Sequence, residues 1–168
     1  HLCDRRQRQM CIRDRADAEH VYRAEVARLF DTELEVIAGA NELLASINVP
    51  MCVVSNGPVK KMQHSLGKLN MLHYFPEKLF SGYDIQRWKP DPALMFHAAK
   101  AMNVNVENCI LVDDSSAGAQ SGIDAGMEVF YFCADPHNKP IVHPKVTTFT
   151  ELAQLPALWK ARGWKITR

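Results

Sequence analysis

The chain has 168 residues, 47% of them hydrophobic and 23% charged, with a formal net charge of +1. That length fits one domain able to bury about 70% of its unfolded surface, and the composition excludes a disordered or fibrous chain. No apolar run reaches the ~18–20 residues a membrane helix needs, and a near-neutral total gives no overall reason to expect nucleic acid. Neither a membrane nor a nucleic acid is therefore expected as a partner. The charge is nevertheless uneven. Arg5, Arg6, Arg8, Arg13 and Arg15 stand against Asp4 and Asp14, so residues 1–15 carry a net +3 and the remainder −2. This stretch has no hydrophobic periodicity. It is read as a segment foreign to the domain, adaptor-like sequence joined to a truncated gene, with a genuine basic arm as the alternative.

Regular patterning begins at Ala16. Val21, Tyr22, Val26, Leu29 and Phe30 predict a helix over residues 17–30. A second helix is predicted over 39–47, with Leu43, Leu44 and Ile47 on one side and Asn48-Val49-Pro50 ending it. Met51–Val54 is a short apolar run that reads as a buried strand, broken by Ser55-Asn56-Gly57-Pro58 and followed by a helix to Leu69. Lys78–Ser81 reads as a short strand, and a polar loop extends to Trp88-Lys89-Pro90. Asp91 suits a helix N-cap and Pro92 its first turn, so a helix is predicted through Met102. Cys109–Val112 is a second continuous apolar run, stopped by Asp113-Asp114-Ser115. A helix over 117–124, a strand over 128–132, a strand over 146–148 and a closing helix over 152–161 complete the pattern. Apolar strands alternating with helices define an α/β fold, a doubly wound parallel sheet covered on both faces.

The five cysteines, Cys3, Cys11, Cys52, Cys109 and Cys133, form no C-x-x-C pair. Cys52, Cys109 and Cys133 lie in or beside strand-like runs, which suits reduced thiols of a cytoplasmic protein. Seven histidines are scattered without metal-ligand spacing.

In a doubly wound sheet, ligands bind beyond the carboxyl ends of the strands. After the Met51–Val54 run come Ser55, Asn56 and Gly57: a hydroxyl, an amide and an unhindered backbone N–H at a helix start, a candidate phosphate cradle. Ordinary turn chemistry is the plainer reading of those three residues taken alone. After the Cys109–Val112 run come Asp113 and Asp114, adjacent carboxylates that repel unless a cation or proton lies between them. Such hard oxygen donors suit Mg²⁺; the alternative is that one acid caps the next helix. Between the two runs lies Lys89, held by Trp88 and Pro90, a point charge suited to phosphoryl oxygens or a solvated surface residue.

The order Val53-Val54-Ser55-Asn56-Gly57, Lys89-Pro90-Asp91-Pro92, then Ile110-Leu111-Val112-Asp113-Asp114-Ser115 resembles the second, third and fourth motifs of the haloacid dehalogenase-like hydrolase superfamily. The likeness runs over residues ~17–168 and is similar to the phosphoglucomutase-like branch of sugar-phosphate phosphatases. It implies a Mg²⁺-dependent phosphomonoester hydrolase forming an aspartyl-phosphate, with a small phosphorylated metabolite as partner. Overall resemblance, rather than any assignable residue, points to 6-phosphogluconate. It also implies that Ser55 hydrogen-bonds the phosphoryl group and that the Asn56 backbone N–H, with or without its side chain, adds a second donor, with Gly57 in the same turn. Lys89 would offset its charge, and Asp114, with Asp113 beside it, would hold the metal. By the same likeness, residues 16–35 correspond to a remnant of a helical cap and residues 36–168 to the hydrolase core.

The family's first motif is an Asp-x-Asp pair after an apolar strand, supplying nucleophile and general acid/base. No two aspartates in this sequence are separated by one residue, and no acid-x-acid pair follows an apolar run. The chain is thus expected to lack the nucleophile, the first central strand and most of the cap, and to be inactive by itself. A gap or an unfamiliar pairing is expected between the second- and fourth-motif strands, with marginal stability. A non-catalytic phosphate-binding or regulatory module of the same fold is the alternative. A response-regulator receiver shares the acidic pair but places it after its first strand, which does not match.

Overall fold

The computed structural model describes residues 21, 24–25, 28–29, 32–135 and 138–168. The chain divides into two compact units, 1–35 and 36–168. In the first, the described residues Val21, Ala24, Glu25, Arg28, Leu29, Thr32 and Glu33 are helical, and Arg28 pairs with Glu25 at 2.6 Å. The basic stretch 1–15 and the rest of the helix predicted over 17–30 lie outside the described residues.

The second unit begins with helix α1 (Ala40–Ser46), then β1 (Val53–Ser55), α2 (Val59–Lys68) and β2 (Leu79–Ser81). Next come α3 (Gly82–Ile85), α4 (Ala93–Ala101), β3 (Ile110–Asp113), α5 (Ser116–Asp124), β4 (Glu128–Phe132), β5 (Val146–Phe149) and α6 (Leu155–Ala161). All strand pairings between these named strands are parallel. β1 pairs with β2, placing Val53 opposite Leu79 and Ser55 opposite Ser81. Separately, β3, β4 and β5 form a sheet in that order, with Asp113 opposite Tyr131 and Phe132 opposite Phe149.

Alternation along β4 explains the layering. Val129 and Tyr131 point to one face and join Leu94, Met95, Leu111 and Ala119, so α4 and α5 cover that side. Phe130 points to the other and joins Phe149, Leu155 and Trp159, so α6 covers it, with Leu43 and Ile47 of the α1 region packed alongside. Phe130 meets Trp159 edge to face at 6.1 Å, a favoured aromatic geometry. The chain's last residues close this side: Ile47 bridges Thr167, and the Asn48 N–H donates to the Ile166 carbonyl at 2.9 Å.

The doubly wound architecture is as the sequence predicts, and so is the gap. No described pairing joins β1 to β3, and the parallel sheet is split in two. Between the halves lies a cavity of about 870 Å³. Its edges are residues 51–54 and 109–113, and α1, α6 and α4 supply its apolar walls.

Local differences from the sequence reading have local causes. The stretch after β2 contains α3 rather than continuous loop, because the Ser81 hydroxyl caps it, accepting from the Tyr83 N–H at 3.1 Å. Asp91 lies one residue before the N-cap of α4. The N-cap is Pro92, and the Asp91 carboxylate accepts from the Ala93 N–H at 2.9 Å. The closing helix starts as a 3₁₀ turn, Leu152–Gln154, locked by a capping box between Glu151 and Gln154.

Candidate active site

Ser55 ends β1, and its hydroxyl oxygen accepts from the Gly57 N–H at 3.0 Å. Gly57 therefore holds Ser55 in place instead of offering its N–H freely. Asn56 makes a reciprocal clamp: its amide oxygen accepts from the Lys89 N–H at 2.7 Å, and its amide nitrogen donates to the Lys89 carbonyl at 3.1 Å. The Asn56 side chain is thus spent on fixing the Lys89 backbone, and of the two expected donors only its backbone N–H is left for a ligand. This ties the turn after β1 to the loop before α4.

Lys89 reaches the end of β3. Its ammonium pairs with Asp113 Oδ2 at 2.6 Å, with the two side chains only 10% and 8% exposed. The other Asp113 oxygen, Oδ1, accepts from the Ser115 N–H at 2.9 Å and the Ser115 hydroxyl at 2.7 Å. Ser115 also caps α5, accepting from the Gly118 N–H at 2.9 Å. Of the capping alternatives, it is therefore this serine and not an acid that caps the helix. Asp114 is exposed, and Asn138 donates to its backbone carbonyl at 3.4 Å. Beneath the pair, burial raises the Tyr131 hydroxyl above its ordinary value, with Cys133, Asp114 and Asp113 adding to the shift.

Two further residues shape the site, and neither stands out in the sequence. Gly118 packs against Asp113, so closely that a Cβ there would overlap the carboxylate. Only glycine allows α5 to start at that distance. Ser81, fully buried, donates to the Gly57 carbonyl at 2.8 Å and so braces the Ser55 turn from β2. The Ser-x-x-Gly spacing after the acidic pair is the one signal for Gly118; for Ser81 the only signal is its place at a strand end.

Ser55, Lys89 and Asp113 therefore gather at the carboxyl ends of β1 and β3, joined through Asn56 and the Lys89 ion pair. Asp113 and Asp114 supply hard oxygens of the type Mg²⁺ accepts, since that ion binds through one or two carboxylates and completes its shell with water and phosphate. Among the described residues, no cluster of three His, Cys, Asp or Glu assembles. A magnesium ion at this site would rest on that carboxylate pair.

A hydroxyl, a lysine and an acidic pair thus stand at the carboxyl ends of β1 and β3 in a parallel α/β fold of the hydrolase type. A profile of the haloacid dehalogenase-like hydrolases matches residues 5–126, and the chain belongs to that family. It is 86% identical over 153 residues to the 6-phosphogluconate phosphatase of Escherichia coli K12, covering 91% of this chain and 69% of that protein. Hexitol phosphatase A of the same organism is 29% identical over 113 residues, covering 64% of this chain and 50% of that protein. Among solved structures, a conserved haloacid dehalogenase-like protein from Agrobacterium tumefaciens superposes with a TM-score of 0.75 at 24% identity, over 87% of this chain and 70% of that one. A family hydrolase from Deinococcus radiodurans, solved with bound phosphate and sodium, gives 0.65 at 24% identity, over 78% and 62%. These two show the shared fold.

Proposed function

We propose that this chain is the core of a Mg²⁺-dependent phosphomonoester hydrolase that acts on small sugar phosphates, 6-phosphogluconate foremost, through an aspartyl-phosphate. The observation that carries the reading is the convergence of Ser55, Lys89 and Asp113 through the Asn56 clamp and the 2.6 Å ion pair. The likeness to a 6-phosphogluconate phosphatase supports the substrate class.

Each residue has a definite part. The Ser55 hydroxyl, its oxygen already accepting from Gly57, keeps its hydrogen for a phosphoryl oxygen. Lys89 offsets phosphoryl charge from a largely desolvated position, where a fixed cation is worth more than in water. Asp113 keeps Lys89 oriented. Asp114, with Asp113 beside it, would hold the metal, which when bound supplies further charge neutralisation at the phosphoryl oxygens. Asn56 and Gly57 are positioning residues. The attacking carboxylate is not among these groups, and the chain by itself does not turn over substrate.

The test measures phosphate release from 6-phosphogluconate with and without Mg²⁺. One sample is this chain. The other is the chain joined to the part of the E. coli relative that it does not span. The longer protein is expected to release phosphate only with Mg²⁺ and to lose that activity on Asp114→Asn. Full activity in Asp114→Asn would overturn the metal assignment, and turnover by the chain alone would overturn the missing-nucleophile reading. Tight phosphate binding without hydrolysis in the longer protein would favour a non-catalytic module.

A further inference from the structure

Of the eight asparagines in the chain, only Asn56 precedes a glycine. Such a pair is chemically weak in a free chain, because asparagine is thermolabile and glycine has no Cβ to hinder attack by its own amide nitrogen. That nitrogen loses its proton to solvent and bonds to the side-chain amide carbon. The carbon's bond to its amide nitrogen breaks, ammonia leaves, and a cyclic imide forms. Water then opens the ring to aspartate or isoaspartate. The balance is one water consumed and one ammonia released, with nothing oxidised or reduced.

The fold holds back both reacting groups. Asn56 is exposed, so water reaches it, yet both polar atoms of its amide are engaged. The oxygen accepts from the Lys89 N–H at 2.7 Å, and the nitrogen, which is the leaving group, donates to the Lys89 carbonyl at 3.1 Å. Attack turns the planar amide carbon tetrahedral and expels that nitrogen, so the clamp must open first. The attacking nitrogen is occupied as well, since the Gly57 N–H donates to the Ser55 hydroxyl at 3.0 Å. The other half of the clamp is itself anchored: the Lys89 ammonium pairs with Asp113 at 2.6 Å.

We propose that Asn56 is a deamidation site guarded by its own clamp. It is stable while the turn after β1 is latched to Lys89, and it cyclises onto Gly57 when the latch opens locally. The change is then self-locking. A carboxylate at position 56 accepts but does not donate, so it meets the Lys89 carbonyl acceptor to acceptor. Isoaspartate also inserts the side-chain methylene into the main chain between Ser55 and Gly57. Either product keeps the latch open and adds negative charge beside Ser55 and Lys89. The chemistry rests on the clamp and not on the phosphatase reading, so mass rather than hydrolysis tests it.

The full chain is kept in mildly alkaline buffer across a urea series and sampled over days. Peptide mapping by mass follows the replacement of NH2 by OH at each asparagine, and an isoaspartyl methyltransferase reports isoaspartate. In unfolding urea, Asn56 should react faster than the other asparagines. Folding should slow it about thirtyfold, since each of the two clamp bonds at ordinary net strength is worth roughly a factor of five. Below the unfolding transition its rate should not respond to urea, because a local opening exposes little surface. Lys89→Ala, which frees the loop from Asp113, should speed the folded chain severalfold. Gly57→Ala places its Cβ at ordinary contact distance, 3.4 Å from the Ser55 hydroxyl and 3.6 Å from Lys61, so it fits the fold. It should slow Asn56, folded or unfolded, to the pace of the other asparagines. Equal rates in the folded and unfolded chain, or a folded-state rate that follows global unfolding, would overturn the proposal. So would an unaltered rate in folded Lys89→Ala, or Gly57→Ala reacting as fast as the native chain.

Discussion

β4 and β1 are both short apolar strands in parallel pairings, yet they meet different surroundings. Val129 and Phe130 of β4 are fully buried, and Tyr131 is 2% exposed, because β3 and β5 flank the strand and helices cover both faces. Val53 and Val54 of β1 are only half-buried: β2 flanks one edge and the cavity the other. Val112 of β3, on the opposite side of the cavity, is 40% exposed despite its strand position. A continuous apolar run thus indicates the tendency to be buried, while burial itself depends on neighbours that lie far away in sequence. The site straddles this boundary, with Asp113 on the three-stranded side and Ser55 on the two-stranded side.

The sharpest way to break the comparison is to truncate a side chain on each half. Phe130→Ala should cost about 3–5 kcal/mol, read by urea unfolding, because its ring is enclosed by Trp159 and the α6 layer. Val54→Ala should cost about 1 kcal/mol, since the methyl groups lost already border open space. Equal costs would mean that the two sheets are equally well packed. The link between the halves comes next. Lys89→Ala leaves Asp113, 8% exposed, without its cation, and should cost about 3 kcal/mol. Combining it with Asp113→Asn should recover most of that loss, because the uncompensated charge is gone. A smaller effect is expected at the α5 cap, where Ser115→Ala should cost about 1 kcal/mol and release Asp113 from one of its hydrogen bonds.

This contrast also separates what the sequence made legible from what it did not. The runs around 109–112 and 128–132 were readable because buried parallel strands have no polar alternation to obscure them. The site's members were readable because each follows a strand or starts a helix. The break in the sheet was expected from the order of the motifs, since a motif-bearing strand had no counterpart. What stayed hidden depends on contacts across the chain. Asn56 and Lys89 are 33 positions apart, and no local pattern shows that the amide clamps a backbone instead of facing a ligand. Gly118 looks like any glycine in a helix until the Asp113 carboxylate is placed against it. The short helix α3 has too few residues to show a period, and only its serine cap hints at it.

The smallest expected effect concerns the Cys52 thiol, which lines the cavity. Burial pushes the Cys52 thiol up from an ordinary 9.0 to about 11; nearby Cys109 adds to the shift and Lys78 opposes it. In the unfolded chain the thiol ionises near 9.0, while the folded chain keeps it protonated until about 11. The folded state therefore binds the extra proton between those values, and stability linked to this group falls as pH rises. That contribution is fully present below pH 9.0 and is lost on approaching pH 11. Other groups titrate in the same window, so the measurement is the difference in Tm between the native chain and Cys52→Ala. It should stay constant up to about pH 9 and then move in favour of the variant. Parallel profiles to pH 11 would place Cys52 in water.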